Sequence, residues 1–84
     1  MKTRVKKLEF RVIIEQDEDG LYVATVPELI GCHTQGKTLE QVRRRIREAI
    51  ELVLESDDAA RKEKLQHPQS PSFLGIENVK ISYA

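Results

Sequence analysis

Between Ile13 and Leu54 the chain passes from alternating apolar residues, through a glycine-bounded turn, to one amphipathic helix. That order restricts the fold to a small sheet with a helix on one face. The helix is the clearest part. Leu39, Val42, Ile46, Ala49, Ile50 and Val53 follow the i, i+3, i+4, i+7 rule and fall within a stripe of about 100°, wide enough to cover a sheet face. Thr38-Leu39-Glu40-Gln41 supplies the start signal: the Thr38 hydroxyl accepts from the amide near Gln41 while the Gln41 side chain reaches back to Thr38.

Upstream, Leu8, Phe10, Val12 and Ile14 alternate with Glu9, Arg11 and Ile13, which predicts a strand with one buried face. Asp19-Gly20 suits a tight hairpin turn, because glycine reaches positive φ without a Cβ clash. A second strand is predicted over Leu21 to Val26. Pro27 has no amide hydrogen to donate, so the ladder breaks there before a short third strand around Cys32 to Gln35. Gly31 and Gly36 permit sharp turns at the two ends of that strand; neither a Gly-x-Gly-x-x-Gly nor a Walker pattern surrounds them.

After Ser56 the composition turns polar, and Pro68 and Pro71 interrupt any helix that begins near Ala59. Residues 66–72 read as a loop. Val79, Ile81 and Tyr83 alternate with Asn78, Lys80 and Ser82, which predicts a final strand. The expected class is α+β, in the order β-β-β-α-β, with a single helix on a small, antiparallel-rich sheet. One domain spans residues 1–84, without an internal repeat.

A chain of 84 residues hides only about 60–65% of its unfolded surface, so its own core is thin and burial against a partner is expected. Fourteen basic and fourteen acidic side chains give zero formal charge, without the basic excess of a dedicated nucleic-acid module. Near-zero charge also protects poorly against self-association, so a dimer or tetramer is expected. The lone Cys32 excludes an intramolecular disulfide. The basic opening Met1 to Lys7 leads straight into a strand pattern, not a signal peptide. No run approaches the roughly 20 apolar residues of a membrane span. A cytoplasmic location follows.

No grouping of residues carries catalysis. Asp17, Glu18 and Asp19 crowd one turn, where carboxylates serve backbone geometry and solvation more often than metal binding. Glu9 and Glu15 lack the further carboxylates that two-metal nuclease chemistry requires. Cys32 and His33 are strand neighbours and point to opposite faces, so they do not form a nucleophile and base pair; Cys32 reads as a small core residue. His67 is too remote to complete a zinc site. The expectation is a protein without catalytic residues, metal or cofactor.

The remaining candidates are surfaces for partners. Arg43 and Arg47 flank one side of the helical stripe and Arg45 the other, while Arg44 points outward with Glu48, Glu51 and Glu55. Ion pairs Glu40–Arg44, Arg44–Glu48 and Arg47–Glu51 would make this a solvated face. Against that, Glu51, Glu55, Asp57 and Asp58 crowd the helix C-terminus, where the macrodipole disfavours negative charge. Arg43, Arg47, Glu51 and Glu55 are therefore the candidate partner-binding residues. On the sheet, an even-numbered hairpin loop would put Tyr22, Ala24 and Val26 on the outer face with Ile13, as a homo-oligomer interface. An odd loop would turn them inward.

The acidic turn Glu15 to Gly20, the strand Leu21 to Val26, the run Pro27-Glu28-Leu29-Ile30-Gly31-Cys32, then Thr34-Gln35-Gly36, Thr38-Leu39-Glu40-Gln41 and the helix to Leu54 together resemble the HicB-type antitoxins. The resemblance implies a truncated ribonuclease-H-like arrangement with the last strand in the same sheet. It also implies a HicA-type toxin as partner, whose messenger-RNA cleavage the antitoxin blocks. Family members often append a DNA-binding segment that recognises their own operator. No such helical pair or ribbon precedes Ala84, so operator binding is not expected here. The alternative is a stand-alone oligomer of the same fold acting as a nucleic-acid or protein adaptor.

Overall fold

A computed structural model describes residues 6–84. Its elements are β1 (Ile13–Gln16), β2 (Tyr22–Thr25), β3 (His33–Gly36), α1 (Leu39–Ser56) and α2 (Asp58–Gln66). The three strands form an antiparallel meander in the order β1-β2-β3. The class is α+β, as the pattern predicted. The basic opening lies outside the described residues as far as Val5.

The first hairpin has the odd loop. Gln16 pairs with Tyr22, which leaves the five residues 17–21 between the strands. Asp17 builds that loop: its Oδ1 accepts from the amides of Asp19 and Leu21, both at 2.9 Å, and its amide donates to Leu21 O. Gly20 takes φ +83° to close it. The odd count turns Ala24 and Val26 onto the helix side, where they are 0% and 1% exposed. Tyr22 packs against the same core. Ile13, adjacent to Ile14 on the strand, falls on the opposite face. The outer surface of Ile13, Tyr22, Ala24 and Val26 therefore does not exist as one patch; three of the four belong to the core.

That core consists of Ala24, Val26, Leu29, Cys32, Val42 and Ile46. The loop between β2 and β3 contributes Leu29 and Cys32 because it folds tightly on itself, with Val26 N donating to Cys32 O and Leu29 N to Val26 O. Gly31 supplies the positive φ of +76°.

Thr38 caps α1, its hydroxyl accepting from Gln41 N at 3.0 Å. The reciprocal bond shifts by one residue from the expected one: Gln41 Oε1 accepts from Lys37 N at 2.7 Å. Gly36 lets the helix start lie close on β3, since a Cβ there would meet Val42 N at 3.0 Å.

Two features depart from the predicted order. A second helix, α2, follows α1 with a single residue, Asp57, between them; Asp57 caps α2 by accepting from Ala60 N. And residues 79–83 form no strand in this chain. Residues 68–73 run beside residues 9–11 in the same direction, through Glu9 N to Pro68 O and the Arg11 guanidinium to Pro71 O, with Phe73 under Arg11. A parallel course along the β1 side is consistent with a ribonuclease-H-like plan. Beyond Phe73 the tail stays exposed. The alternating pattern is present, but no ladder in the same chain receives it.

Candidate protein-binding groove

The helix α1 lies across β3 and β2 rather than β1. The inner side chains of β1 and the segment before it are thus only partly covered. Leu8, Phe10, Val12 and Ile14 form one wall of an open groove of about 900 Å³, and Ile46, Ile50 and Leu54 of α1 form the other. Its rim is charged, carrying Lys6, Arg43, Arg44, Arg47 and Glu51. An apolar floor inside a polar rim is the common anatomy of a protein interface.

Arg43, Arg47, Glu51 and Glu55 succeed one another at i+4, so they form one ridge along α1, basic in its first half and acidic in its second. The structure brings Arg43, Arg47 and Glu51 to the groove and leaves Glu55 beyond its end. None of the three expected pairs Glu40–Arg44, Arg44–Glu48 and Arg47–Glu51 closes to ion-pair distance among the described residues. These charges are directed to solvent. Arg45, on the other flank, donates to Gln35 O at 2.8 Å and so occupies a carbonyl of β3.

The acidic end of α1 is partly compensated by α2. Asp57 is a cap, Asp58 pairs with Arg61 at 2.5 Å, and Arg61 Nη1 donates to Leu54 O at 2.9 Å. A cation thus reaches the last-turn carbonyls, where the macrodipole favours it. Glu51 and Glu55 have no such partner among the described residues.

Glu28 is the hub of a polar cluster around the buried Lys64, and it was not singled out from the sequence. Its Oε1 accepts from Arg11 N at 3.0 Å and Ser70 Oγ at 2.6 Å, and its Oε2 from Lys64 Nζ. Lys64 is 5% exposed and stands 4.3 Å above the Phe10 ring. Burial pushes the Glu28 carboxyl up, but the hydrogen bonds from Lys64, Ser70 and the Arg11 amide outweigh it and hold the group below its ordinary value. One carboxylate therefore ties the β2–β3 loop to β1's approach, to α2 and to the tail. A 36-residue separation from Lys64 leaves no local pattern by which to find it.

Cys32 is buried, and desolvation pushes its thiol up, so it carries little thiolate. His33 is exposed on the strand next to it. The Asp17 carboxylate is engaged in the hairpin loop.

The fold is a three-stranded sheet partly covered by a helix that carries a charged ridge. Residues 10–76 match the family model described as HicB-like antitoxin of bacterial toxin–antitoxin systems, and the chain belongs to that family. A UPF0150 protein of Archaeoglobus fulgidus is 40% identical over 74 residues, covering 88% of this chain and 96% of that one. One from Synechocystis is 39% identical over 77 residues, covering 92% and 100%, and one from Thermotoga maritima is 41% identical over 78, covering 92% and 93%. No solved structure matches. Among the described residues no helix is long and apolar enough to cross a membrane.

Proposed function

We propose that this chain is the antitoxin of a type II HicAB-like pair, which binds a small HicA-type toxin and blocks its messenger-RNA cleavage by covering the active surface. Membership of the HicB-like family over residues 10–76 carries the reading. In it the protein acts in the cytoplasm as an inhibitor, not a catalyst. An enzyme that cleaves RNA needs a basic surface to hold the phosphate backbone. The complement on this chain is the acidic half of the α1 ridge, Glu51 and Glu55, both exposed and free of an ion pair among the described residues. Arg43 and Arg47, the basic half, face a second copy of the chain.

Reversing Glu51 and Glu55 to Lys tests the surface. Because both side chains are exposed, the helix content should not change, while the variant should need a clear excess to silence a HicA-type toxin that the parent silences at equimolar ratio. Equal potency of variant and parent would remove the acidic ridge from the interface.

A further inference from the structure

The ridge Arg43, Arg47, Glu51 and Glu55 is exposed along its whole length, and none of its charges closes an ion pair among the described residues. Within its own helix the ridge is poorly placed. Glu55 stands in the last turn of α1, which holds no basic residue, and both acids lie toward the negative pole of the macrodipole. Along the ridge Arg43–Arg47 and Glu51–Glu55 are like-charged i, i+4 neighbours, and Arg47–Glu51 has the cation first, the weaker order. Beside the ridge runs a second i+4 row, Ile46, Ile50 and Leu54, one wall of the groove. Ile50 and Leu54 remain only half-buried. A partner for this surface has to present an apolar row beside charges in the opposite order. The same helix, turned end for end, does so.

We propose that two copies of this chain pair through α1, antiparallel about a two-fold axis at the level of Ala49. Arg43 then stands opposite Glu55 of the second copy and Arg47 opposite Glu51, and symmetry repeats both pairs. Ile50 faces its own counterpart, and Leu54 comes level with Ile46 of the second copy. A parallel pair would set arginine against arginine and glutamate against glutamate, so the order of charges selects the antiparallel one. The neighbouring helix also offsets the dipole. Glu55 comes to lie beside the N-terminal half of the second α1, and Arg43 beside its C-terminal end. Only the consequence for a toxin rests on the proposed function: a second copy holds Glu51 and Glu55 until a toxin competes for them. The tests contain no toxin, so their failure leaves that reading standing.

Sedimentation and light scattering of the full chain should give two chains per particle, or an even multiple. Arg43→Glu with Arg47→Glu makes the ridge wholly acidic, and Glu51→Lys with Glu55→Lys makes it wholly basic. Each double variant should weaken self-association on the order of 100-fold, because every pair across the axis becomes like-charged. Helix content should not change, since all four side chains are exposed. An equimolar mixture of the two variants should restore the dimer as a mixed pair. For the direction of the helices, an Arg47→Cys chain is mixed with a Glu51→Cys chain and oxidised; a disulfide between the two different chains should form ahead of either self-linked product. A monomeric parent, a dimer indifferent to either reversal, a mixture that associates no better than its components, or mainly self-linked products would each overturn the antiparallel pair.

Discussion

Replacing Glu28 with Ala should be among the most damaging single changes in this chain. The substitution strips three donors of their acceptor at once: the Arg11 amide, the Ser70 hydroxyl and the Lys64 ammonium. Lys64 is the decisive one, because at 5% exposure its charge would stay buried without a counter-ion. Breaking a buried ion pair from one side costs about 3–5 kcal/mol. The Glu28 side chain is 22% exposed, so water replaces part of the loss and the expectation is about 3 kcal/mol. A chain of this length has about 4–13 kcal/mol in total, so the variant should be close to unfolding in mild urea. The pH dependence has a definite sign. The folded carboxyl sits below its ordinary value, so its stabilisation is complete above the unfolded glutamate pKa of about 4.3 and is lost as pH falls through the folded value. Urea unfolding by circular dichroism should therefore show a large gap between parent and variant at pH 7 that narrows at pH 3. Lys64→Met in the Glu28→Ala background should recover much of the loss, because no charge then remains buried. A loss under about 0.5 kcal/mol, a gap independent of pH, or no recovery in the double variant would refute the clamp.

Other outcomes follow from local geometry. Thr38→Ala removes the acceptor of the Gln41 amide and should cost about 1 kcal/mol, read as a lower urea midpoint with little change in slope. Gly36→Ala brings a Cβ to 3.0 Å from Val42 N and 3.1 Å from Gln41 Oε1; overpacking of this kind costs about 1–3 kcal/mol, visible as a lower thermal midpoint. Cys32, buried and with its thiol pushed up, should react with a thiol reagent only at the rate of unfolding, and fast reaction under native conditions would contradict its place in the core.

What the sequence disclosed and what it withheld divide along the range of the interactions. Thr38, the apolar period from Leu39 to Val53 and the alternation of the second strand are signals within a few residues, and the elements they predict are present; the alternation from Leu8 predicted a strand ending at Ile14, whereas β1 is Ile13–Gln16. The facing of β2 depends on the parity of one loop, which Asp17 fixes by accepting two amides; Asp19-Gly20 fits either count, so the side chains of Tyr22, Ala24 and Val26 could not be placed without the register. The helix α2 is weakly amphipathic and depends on Lys64 meeting Glu28 across 36 residues, a contact with no sequence period. The exposed tail is the reverse case. Its alternation at Val79, Ile81 and Tyr83 predicted a strand, and the structure forms none there, because alternation makes a strand only where a ladder receives it.

In the proposed function this chain neutralises a toxin by stoichiometric contact. The most direct measurement is RNA cleavage by a HicA-type toxin encoded in the same genome, titrated with this chain while light scattering follows the mixture. Cleavage should fall linearly and stop near equimolar ratio as a particle larger than either component forms. Undiminished cleavage with the two proteins remaining separate would contradict the antitoxin account.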